Sequence, residues 1–346
     1  MTLATGIGTA PTVRPVDTVV VKGLYNEAIE QTTEWQKATT VAPIVSMDAH
    51  EGEYPIDRTW SGLDLQSTPS ALTPASLEGT EYEGLAISLD SNAFNCRRYL
   101  LGQMDLPDRR VAKLNLDNGI GLEDFVARRF AAKAASLHYQ LVMSALDTAA
   151  NYNGGAGSSS PFNLATSTTN DIIGQLEAAV DYFLTEQTYA EGDDLLVVVS
   201  RNLRPFLKQQ DQIRDTISVG GITSPDFSTK GYATDAALEA WFRMYLPGSR
   251  LVFASGKFRD AAGNVRDAFG DATAGGNGTI AIVRAAGGLE RSFLKTVVPS
   301  DESGGPLNIE TERNAAFKGQ TIFGDGYYDV HLADTRAGFQ FTNCNT

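Results

Sequence analysis

The sequence predicts an α+β protein, and three patterns in it carry this prediction. Apolar residues recur at steps of three and four between Val126 and Ala145, which predicts one long amphipathic helix. Two segments of alternating apolar and polar residues, 50–60 and 85–90, predict the strands of a long hairpin. Between residues 166 and 294, helical and strand patterns alternate, which predicts a mixed α/β domain.

The first 23 residues are rich in Thr, Val and Pro and show no helical periodicity. We therefore expect an arm that is extended or disordered until it meets a partner. A short helix is expected from Leu24 to Trp35, with Leu24, Ala28 and Ile29 on one side.

The predicted hairpin has one apolar and one polar face. In its first strand Tyr54, Ile56 and Trp60 alternate with acidic and polar residues. Pro55 lacks the N–H that a sheet ladder needs, so we expect this strand at an edge. Segment 61–79 is rich in Ser, Thr and Pro and predicts a flexible tip. Because isolated hairpins are marginally stable in water, this one must lie on another surface, of its own domain or of a second subunit.

The long helix is predicted to carry an apolar and a polar stripe. The apolar stripe consists of Val126, Phe130, Ala134, Leu137, Leu141 and Ala145. The polar stripe consists of Arg129, Lys133, Ser136, Gln140, Ser144 and Asp147. A glycine- and serine-rich break at 153–161 follows, and a second helix is expected from about 170 to 187.

The remaining elements alternate. Leu195–Val199 is a continuous apolar run, as expected of a strand covered on both faces. Ser200 and Thr234 are candidate N-caps of two following helices, because their hydroxyls can accept from the free N–H groups of a first turn. Further strands are predicted at 251–254, 279–283, 289–298, 307–313, 319–323, 327–334 and 338–341.

Length and composition indicate a globular chain of two domains. It has 346 residues, 42% of them hydrophobic, and a formal net charge of −14. No Lys/Arg run exceeds two residues, which argues against a broad nucleic-acid surface. No apolar stretch approaches the roughly 18 residues of a membrane span, and no signal peptide is recognisable, so we expect a cytoplasmic protein. Cys96 and Cys344 are expected to be free thiols.

The sequence offers no catalytic constellation. His50, His138 and His331 lack the spacing of a metal pair or a proton relay, and His138 is expected on the helix surface or packed in the core. No Gly-x-Ser-x-Gly elbow occurs, and the glycine pattern at 270–275 is followed by Gly276 where a phosphate loop needs lysine. We therefore predict no enzyme activity, no catalytic, cofactor-binding or metal site, and no cofactor.

An ordered series of short segments leads from the hairpin into the long helix. It reads Cys96-Arg97-Arg98-Tyr99, Pro107-Asp108-Arg109-Arg110 and Asn115-Leu116-Asp117. This series resembles the major capsid protein of tailed double-stranded DNA bacteriophages. In that family an extended loop returns through Cys-x-x-Tyr and Pro-Asp-x-x-Arg, and Asn/Asp-Leu-Asp opens a long "spine" helix. The resemblance continues through the α/β region and the C-terminal strands, over about residues 45 to 346.

The resemblance implies a tailed-phage major capsid fold with four parts. These are an N-terminal arm (1–47), an extended β-hairpin loop (48–91), a peripheral domain with the spine helix (92–165 and 295–346) and a mixed α/β axial domain (166–294). Only about 50 residues precede the loop, which leaves no room for the cleaved scaffolding segment of many relatives. We therefore expect particles to contain the full-length chain.

The implied function is structural. Such a protein is a homo-oligomer that self-assembles into pentamers and hexamers of an icosahedral head around double-stranded DNA, without sequence-specific binding. Its other implied partners are a portal protein and, where the head needs them, scaffold and decoration proteins; no membrane is involved. It is expected in the virion capsid, and in the host cytoplasm during assembly. The alternatives are an encapsulin-like nanocompartment shell and, from another class, an acidic α/β hydrolase.

The loop carries a strong negative charge. Segment 48–90 has nine acidic residues and one basic residue, Arg58, a net charge of −8. We hypothesise that it docks on basic residues of the adjacent subunit. The loop residues of this contact are Glu51, Glu53, Asp57, Trp60, Glu81 and Glu83; the basic residues are Arg97, Arg98, Arg109, Arg110, Arg129 and Lys133. The alternatives are an acidic ribbon that faces water and divalent cations bound between loops.

The loop composition also predicts how the particle behaves on a denaturing gel. Some relatives lock their shells by joining a loop lysine to an asparagine of a neighbouring subunit, but segment 48–90 contains no lysine. Boiled and reduced particles should therefore run as monomers. A ladder of multimers that resists SDS and reductant would contradict this prediction.

Overall fold

The computed structural model describes residues 16–57, 89–108, 121–152, 172–187, 195–219, 233–259, 262–270, 278–287, 292–300, 306–314, 318–342 and 344. The first half contains α1 (Thr18–Glu30), α2 (Thr33–Val41), β1 (Ile44–Met47), β2 (Glu51–Asp57), β3 (Leu89–Asn95), β4 (Arg97–Pro107) and α3 (Leu122–Asp147). The second half contains α4 (Ile172–Gln187), β5 (Leu195–Val199), α5 (Arg204–Gln209), α6 (Asp211–Val219), α7 (Asp235–Tyr245), β6 (Arg250–Phe253), β7 (Lys257–Arg259), β8 (Val265–Asp267), β9 (Ile280–Arg284), β10 (Leu294–Pro299), β11 (Leu307–Asn314), β12 (Gly319–Leu332) and β13 (Gly338–Phe341).

Helix α1 corrects the expectation of an extended arm over residues 1–23. Residues 1–15 lie outside the described residues, but the helix already begins at Thr18. The Asp17 carboxylate caps it by accepting from the backbone N–H groups of Val19 and Val20. Every fourth residue from Val21 onward is buried against α3. This packing outweighs the low helix propensity of the β-branched residues in the first turn.

The predicted helix from Leu24 to Trp35 is two helices. The chain breaks at Gln31 and Thr32, where the Thr32 hydroxyl donates to the Ile29 carbonyl at 2.6 Å. Helix α2 then buries Trp35, Ala38 and Val41. The Thr32 hydroxyl competes with the backbone N–H groups for the Ile29 carbonyl, and this favours an end of the helix here. The spacing of apolar residues does not reveal this local effect.

Helix α3 confirms the predicted long helix but corrects half of its apolar stripe. Val126, Phe130 and Ala134 are buried as predicted. Leu137, Leu141 and Ala145 are only partly buried, and the fully buried residues of the second half include His138, Val142 and Leu146. These buried positions follow steps of four, which advance by about 400° around a helix. The buried face therefore rotates along α3 as the helix passes from one core to a second one.

The first sheet lies on the N-terminal half of α3. Its order is β1-β10-β12-β11, with β4 also paired to β12; β1 runs parallel to β10 and the other pairs are antiparallel. The predicted strands 319–323 and 327–334 are one continuous strand, β12, with an irregularity at Gly324 and Asp325. A Cβ at Gly324 would lie only 2.6 Å from the Phe130 ring, so glycine lets α3 approach the sheet here.

The second sheet has the order β13-β9-β5-β6, with β5 and β6 parallel. All of β5 is buried, which confirms the predicted two-sided cover: Leu195, Val197 and Val199 pack with α4 and α7, while Leu196 and Val198 pack with the second half of α3. Strand β13 belongs to this sheet, so the expected peripheral assignment of 295–346 does not hold for it. The other domain bounds stay predictions.

The two predicted N-caps behave differently. The Thr234 hydroxyl accepts from the Ala237 N–H at 3.2 Å, which confirms it as the cap of α7. Ser200 makes no capping hydrogen bond; its hydroxyl donates to the Thr279 carbonyl and accepts from the Thr279 N–H, both at 2.6 Å. The backbone of Thr279, which precedes β9 and lies 79 positions away in sequence, thus takes up the Ser200 hydroxyl.

The first predicted hairpin strand is confirmed within the described residues, whereas only residues 89 and 90 of the second predicted strand are described and β3 continues beyond the predicted end to Asn95. Strands β2 and β3 pair antiparallel, with Glu51 opposite Asn95 and Asp57 opposite Leu89. Tyr54 is buried and Glu53 is exposed, as the alternation predicts. In the described part of the chain β2 pairs only with β3, which agrees with an edge position for Pro55. The predicted tip, 61–79, lies outside the described residues.

A pair of alanine substitutions tests the close packing of α3 on β12. Gly324→Ala should destabilise the unassembled chain by about 1–3 kcal/mol, because its Cβ collides with the Phe130 ring. Gly23→Ala is the control: it lies inside α1 with open space around it, and should stabilise the chain by about 0.5–1 kcal/mol. Denaturant midpoints measure both. Equal effects of the two substitutions would contradict the close approach.

Candidate assembly surfaces

The base of the hairpin is tied to β12 by a chain of polar contacts. Tyr54 Oη lies 2.5 Å from His331 Nε2, and His331 Nδ1 lies 3.4 Å from Asp329 Oδ2. The same carboxylate oxygen accepts from the backbone N–H of Asn95 at 3.1 Å. The Asn92 side chain also donates to the Ala333 carbonyl at 3.0 Å. Both hairpin strands are therefore attached to the end of the longest strand of the first sheet.

A small apolar core lies beneath these contacts. It consists of Val45, Tyr54, Phe94, Cys96, Val297 and Ala333. Lys295 is fully buried beside it, with its ammonium 5.9 Å from the centre of the Tyr54 ring. The base of the hairpin thus packs on its own chain through Tyr54, Asn92, Phe94 and Asn95.

The charge states at this base follow from burial and hydrogen bonding. Burial raises the pKa of Tyr54 to about 12, so its hydroxyl stays protonated. Burial alone would raise the pKa of Asp329, but hydrogen bonds from His331 and the Asn95 N–H hold it below its ordinary value. The protonated Tyr54 hydroxyl is thus able to donate to His331 Nε2.

The acidic residues predicted for the contact are only partly described. Glu51 and Glu53 are exposed on β2, without an ion pair to another described residue. Asp57 is the last residue of β2. Five residues of the hypothesis lie outside the described residues: Trp60, Glu81, Glu83, Arg109 and Arg110.

The described basic residues differ in their partners. Arg98 forms a two-nitrogen contact with Asp325 Oδ2, at 2.9 and 2.5 Å, and this hydrogen-bonded carboxylate raises the pKa of Arg98. Arg97, Arg129 and Lys133 are exposed without an ion pair to another described residue. The Arg129 guanidinium lies 5.6 Å from the centre of the Phe125 ring. Arg98 is thus already engaged within its own subunit.

The structure also separates these basic residues in space. A Cβ at Gly324 would meet Phe130, so position 324 faces α3. Successive residues of a strand point to opposite faces, and Asp325 therefore points away from α3 together with its partner Arg98. Arg129 and Lys133 lie on α3 itself. Arg98 and the α3 cations do not form one patch.

Sequence reasoning missed the tie between Tyr54 and His331. The spacing of Asp329 and His331 places both on one strand face, which was the available signal. Their hairpin partner is 277 residues away in sequence from His331. Of the two positions expected for His138, the structure shows the one in the core. Its Nε2 lies 2.8 Å from Thr296 Oγ1. Burial lowers the pKa of His138 to about 3, so the ring is neutral.

The described residues contain no group of three or more His, Cys, Asp and Glu side chains that could hold a metal ion. In the same part of the chain, no helix is long and apolar enough to cross a membrane.

Comparisons with known proteins give matches in structure alone. Neither a protein-family model nor a curated protein matches the sequence. A phage-related protein from Bordetella bronchiseptica RB50 aligns with a TM-score of 0.66 at 13% identity, over 96% of this chain and 98% of that one. The capsid structure of the cyanophage P-SCSP1u aligns with a TM-score of 0.51 at 13% identity, over 88% and 87%. A Synechococcus elongatus encapsulin aligns with a TM-score of 0.46 at 10% identity, over 97% and 92%.

Replacing Asp329 tests the tie at the hairpin base. Because its pKa is lowered in the folded chain, the carboxylate adds stability above its ordinary pKa of 3.8, and this stability is lost as pH falls through the folded-state pKa. Asp329→Asn should therefore cost about 1–2 kcal/mol at pH 7 and less near pH 3. Denaturant midpoints at both pH values measure this, with Asp48→Asn, an exposed site, as control. A cost that is the same at both pH values would refute the tie.

Proposed function

We propose that this chain, which has the phage capsid fold, is the major capsid protein of a tailed double-stranded DNA phage. The observation that carries the proposal is the fold match over nearly the whole chain, which includes a phage capsid. In this proposal subunits assemble into the pentamers and hexamers of an icosahedral head. The role is structural, in the virion capsid, after assembly in the host cytoplasm.

The proposal divides the chain into functional parts. Residues 1–47 form the arm, here with α1, α2 and β1 packed on the first sheet and α3. Residues 48–91 form the extended loop. The first sheet and α3 make up the peripheral domain, and the second sheet, including β13, makes up the axial domain.

The extended loop is proposed as the main contact between subunits. Its base is rigidly tied by Tyr54, His331 and Asp329, while Glu51 and Glu53 face outward. The cations Arg129 and Lys133 of an adjacent copy are proposed to receive the acidic loop. Each exposed pair contributes only about 0.2–1 kcal/mol and is screened by salt. Repetition over every interface of a shell makes this small bias effective.

The residues of the proposed contact differ in how many partners they already have within their own chain. Arg98 remains a prediction as well, although two of its guanidinium nitrogens already contact Asp325 of its own chain. Arg97 remains, and so do Asp57, Trp60, Glu81, Glu83, Arg109 and Arg110 as predictions. The enclosed DNA would contact the shell without sequence preference. The net charge of −14 gives the protein no general attraction to phosphate. Portal, scaffold and decoration proteins remain proposed partners.

The purified chain tests this function and the loop contact together. Wild-type protein should elute in the void volume and appear as polyhedral shells by negative stain. Double reversal of Arg129→Glu and Lys133→Glu should lower the yield of shells and their resistance to heat and salt. Arg259→Glu with Lys318→Glu is the control, because both cations are exposed and neither has an ion pair to another described residue.

The outcomes separate the claims. A small oligomer or monomer that never forms shells would refute the capsid function. Shells of the α3 variant as stable as those of the control would refute only the loop contact. Shells that enclose a protein cargo and no DNA would favour the nanocompartment alternative.

A further inference from the structure

A basic cleft lies at the β6 edge of the second sheet. It has a volume of about 570 Å³ and is lined by Lys37, Arg201, Arg204, Asp235 and residues 251–255. The basic residues come from three separate elements: α2, the turn that follows β5, and α5. The cleft opens where the parallel strands β5 and β6 end.

Positive charge exceeds negative charge in this cleft. Asp235 accepts from two nitrogens of Arg204 and lies 2.8 Å from the ammonium of Lys208. One carboxylate thus serves two cations. Arg201 is exposed and has no ion pair to another described residue. With Lys37, four cations face one carboxylate among the described residues around the cleft.

Hydrogen-bond donors also remain available. The Lys37 ammonium donates to the Phe253 carbonyl at 3.1 Å and to Ser255 Oγ at 2.7 Å, which leaves one of its three N–H groups. Burial, and then the charge of Arg204, lower the pKa of Lys37. The Arg204 guanidinium lies over the Phe253 ring at 5.1 Å and is held in place. These donors are positioned for an anionic partner.

The opposite edge of the same sheet carries negative charge. Helix α4 packs there: the Tyr182 hydroxyl donates to the Arg336 carbonyl at 3.1 Å, and the Tyr182 ring lies 5.5 Å from that of Phe339 in β13. Glu177 and Asp181 are exposed on α4, without an ion pair to another described residue. They are one helical turn apart and therefore neighbours on the helix surface. Arg336 brings one positive charge to this edge against these two carboxylates.

We propose that the basic cleft of one copy receives Glu177 and Asp181 of a second copy, so that identical subunits join head to tail. The cleft lies at the β6 edge of this four-stranded sheet, which is about 14 Å across, whereas the acids lie on α4, which covers one face of the sheet and reaches β13 at the opposite edge through Tyr182. A contact between two different surfaces of identical copies is heterologous, and it forms a ring when the rotation between the copies closes. The inference rests on the proposed shell function and assigns one contact within its capsomers.

A carboxylate partner suits the cleft better than nucleic acid does. Arg204 already holds the Asp235 carboxylate through two nitrogens, the geometry in which guanidinium groups bind carboxylates. The cleft has room for a few side chains. Glu177 and Asp181 belong to this chain, so every assembling copy carries the carboxylates that the cleft would receive.

Charge swaps test the contact. Arg201→Glu alone, or Glu177→Lys with Asp181→Lys, should raise the concentration needed for half-assembly at least about tenfold. All three substitutions in one chain should restore assembly. The two variants mixed one to one should also form oligomers that neither forms alone, because the new carboxylate at position 201 then meets the lysines of the altered helix, while the unaltered cleft meets the unaltered helix. Arg259→Glu, an exposed arginine elsewhere, is the control and should leave the half-assembly concentration unchanged.

Each outcome decides the proposal. Melting temperatures of the unassembled variants confirm that they fold. Normal assembly of Arg201→Glu, or no rescue in the folded triple variant, overturns the head-to-tail contact and leaves the shell function standing. Normal assembly with loss of nucleic acid from the particles would overturn it in favour of a phosphate-binding cleft. Failure of the wild-type chain to assemble would instead overturn the proposed function.

Discussion

The packing of one helix against two different sheets is the constraint on which the rest of this fold depends. The first half of α3 belongs to the core of the first sheet, with Phe130 against Gly324. Its second half, including Tyr139 and Met143, packs on the second sheet. A helix of 26 residues is about 39 Å long, so one rigid element reaches both cores and holds them in a common frame.

The crossing between the two cores explains the buried polar residue in α3. His138 lies at this crossing, with its ring 4.5 Å from that of Trp35 in α2. The hydrogen bond to Thr296 connects it to β10, and its neutral state avoids the cost of a buried charge. A polar residue in an apolar stripe thus serves the packing of three elements.

A surface ion pair contributes less to the free energy of folding than a buried apolar side chain does. Burial of one large apolar side chain contributes about 1.5–3 kcal/mol, whereas an exposed ion pair contributes about 0.2–1 kcal/mol. The α3 cations and the acids of β2 therefore add little to the stability of a single chain. They are suited to a contact that repeats many times. The hairpin base, in contrast, is buried and hydrogen-bonded, and it gives the exposed acids a fixed support.

The topology of the second sheet, and not the order of residues in the sequence, brings the basic residues of the cleft together. Lys37 is distant in the chain from Arg201 and Arg204, and only the pairing of β5 with β6 and the position of α2 bring the three residues to one cleft. The basic pairs that stand out in the sequence turn out less available, since Asp325 holds Arg98 and Asp124 holds Arg128. Adjacent basic residues in the sequence are thus poor guides to which cations lack an ion pair on the surface.

The sequence by itself determined the local elements. Period-2 alternation predicted β2, helical spacing predicted α3, and the continuous apolar run predicted β5 as a strand covered on both faces, because these patterns act over neighbouring residues.

Tertiary structure alone decided the early start of α1, the rotation of the buried face along α3 and the place of β13 in the second sheet. It also decided the tie from Tyr54 to His331 and the cleft around Arg201. Each of these joins residues far apart in the chain. Local periodicity reports which face of an element is apolar, but not which distant element will cover that face.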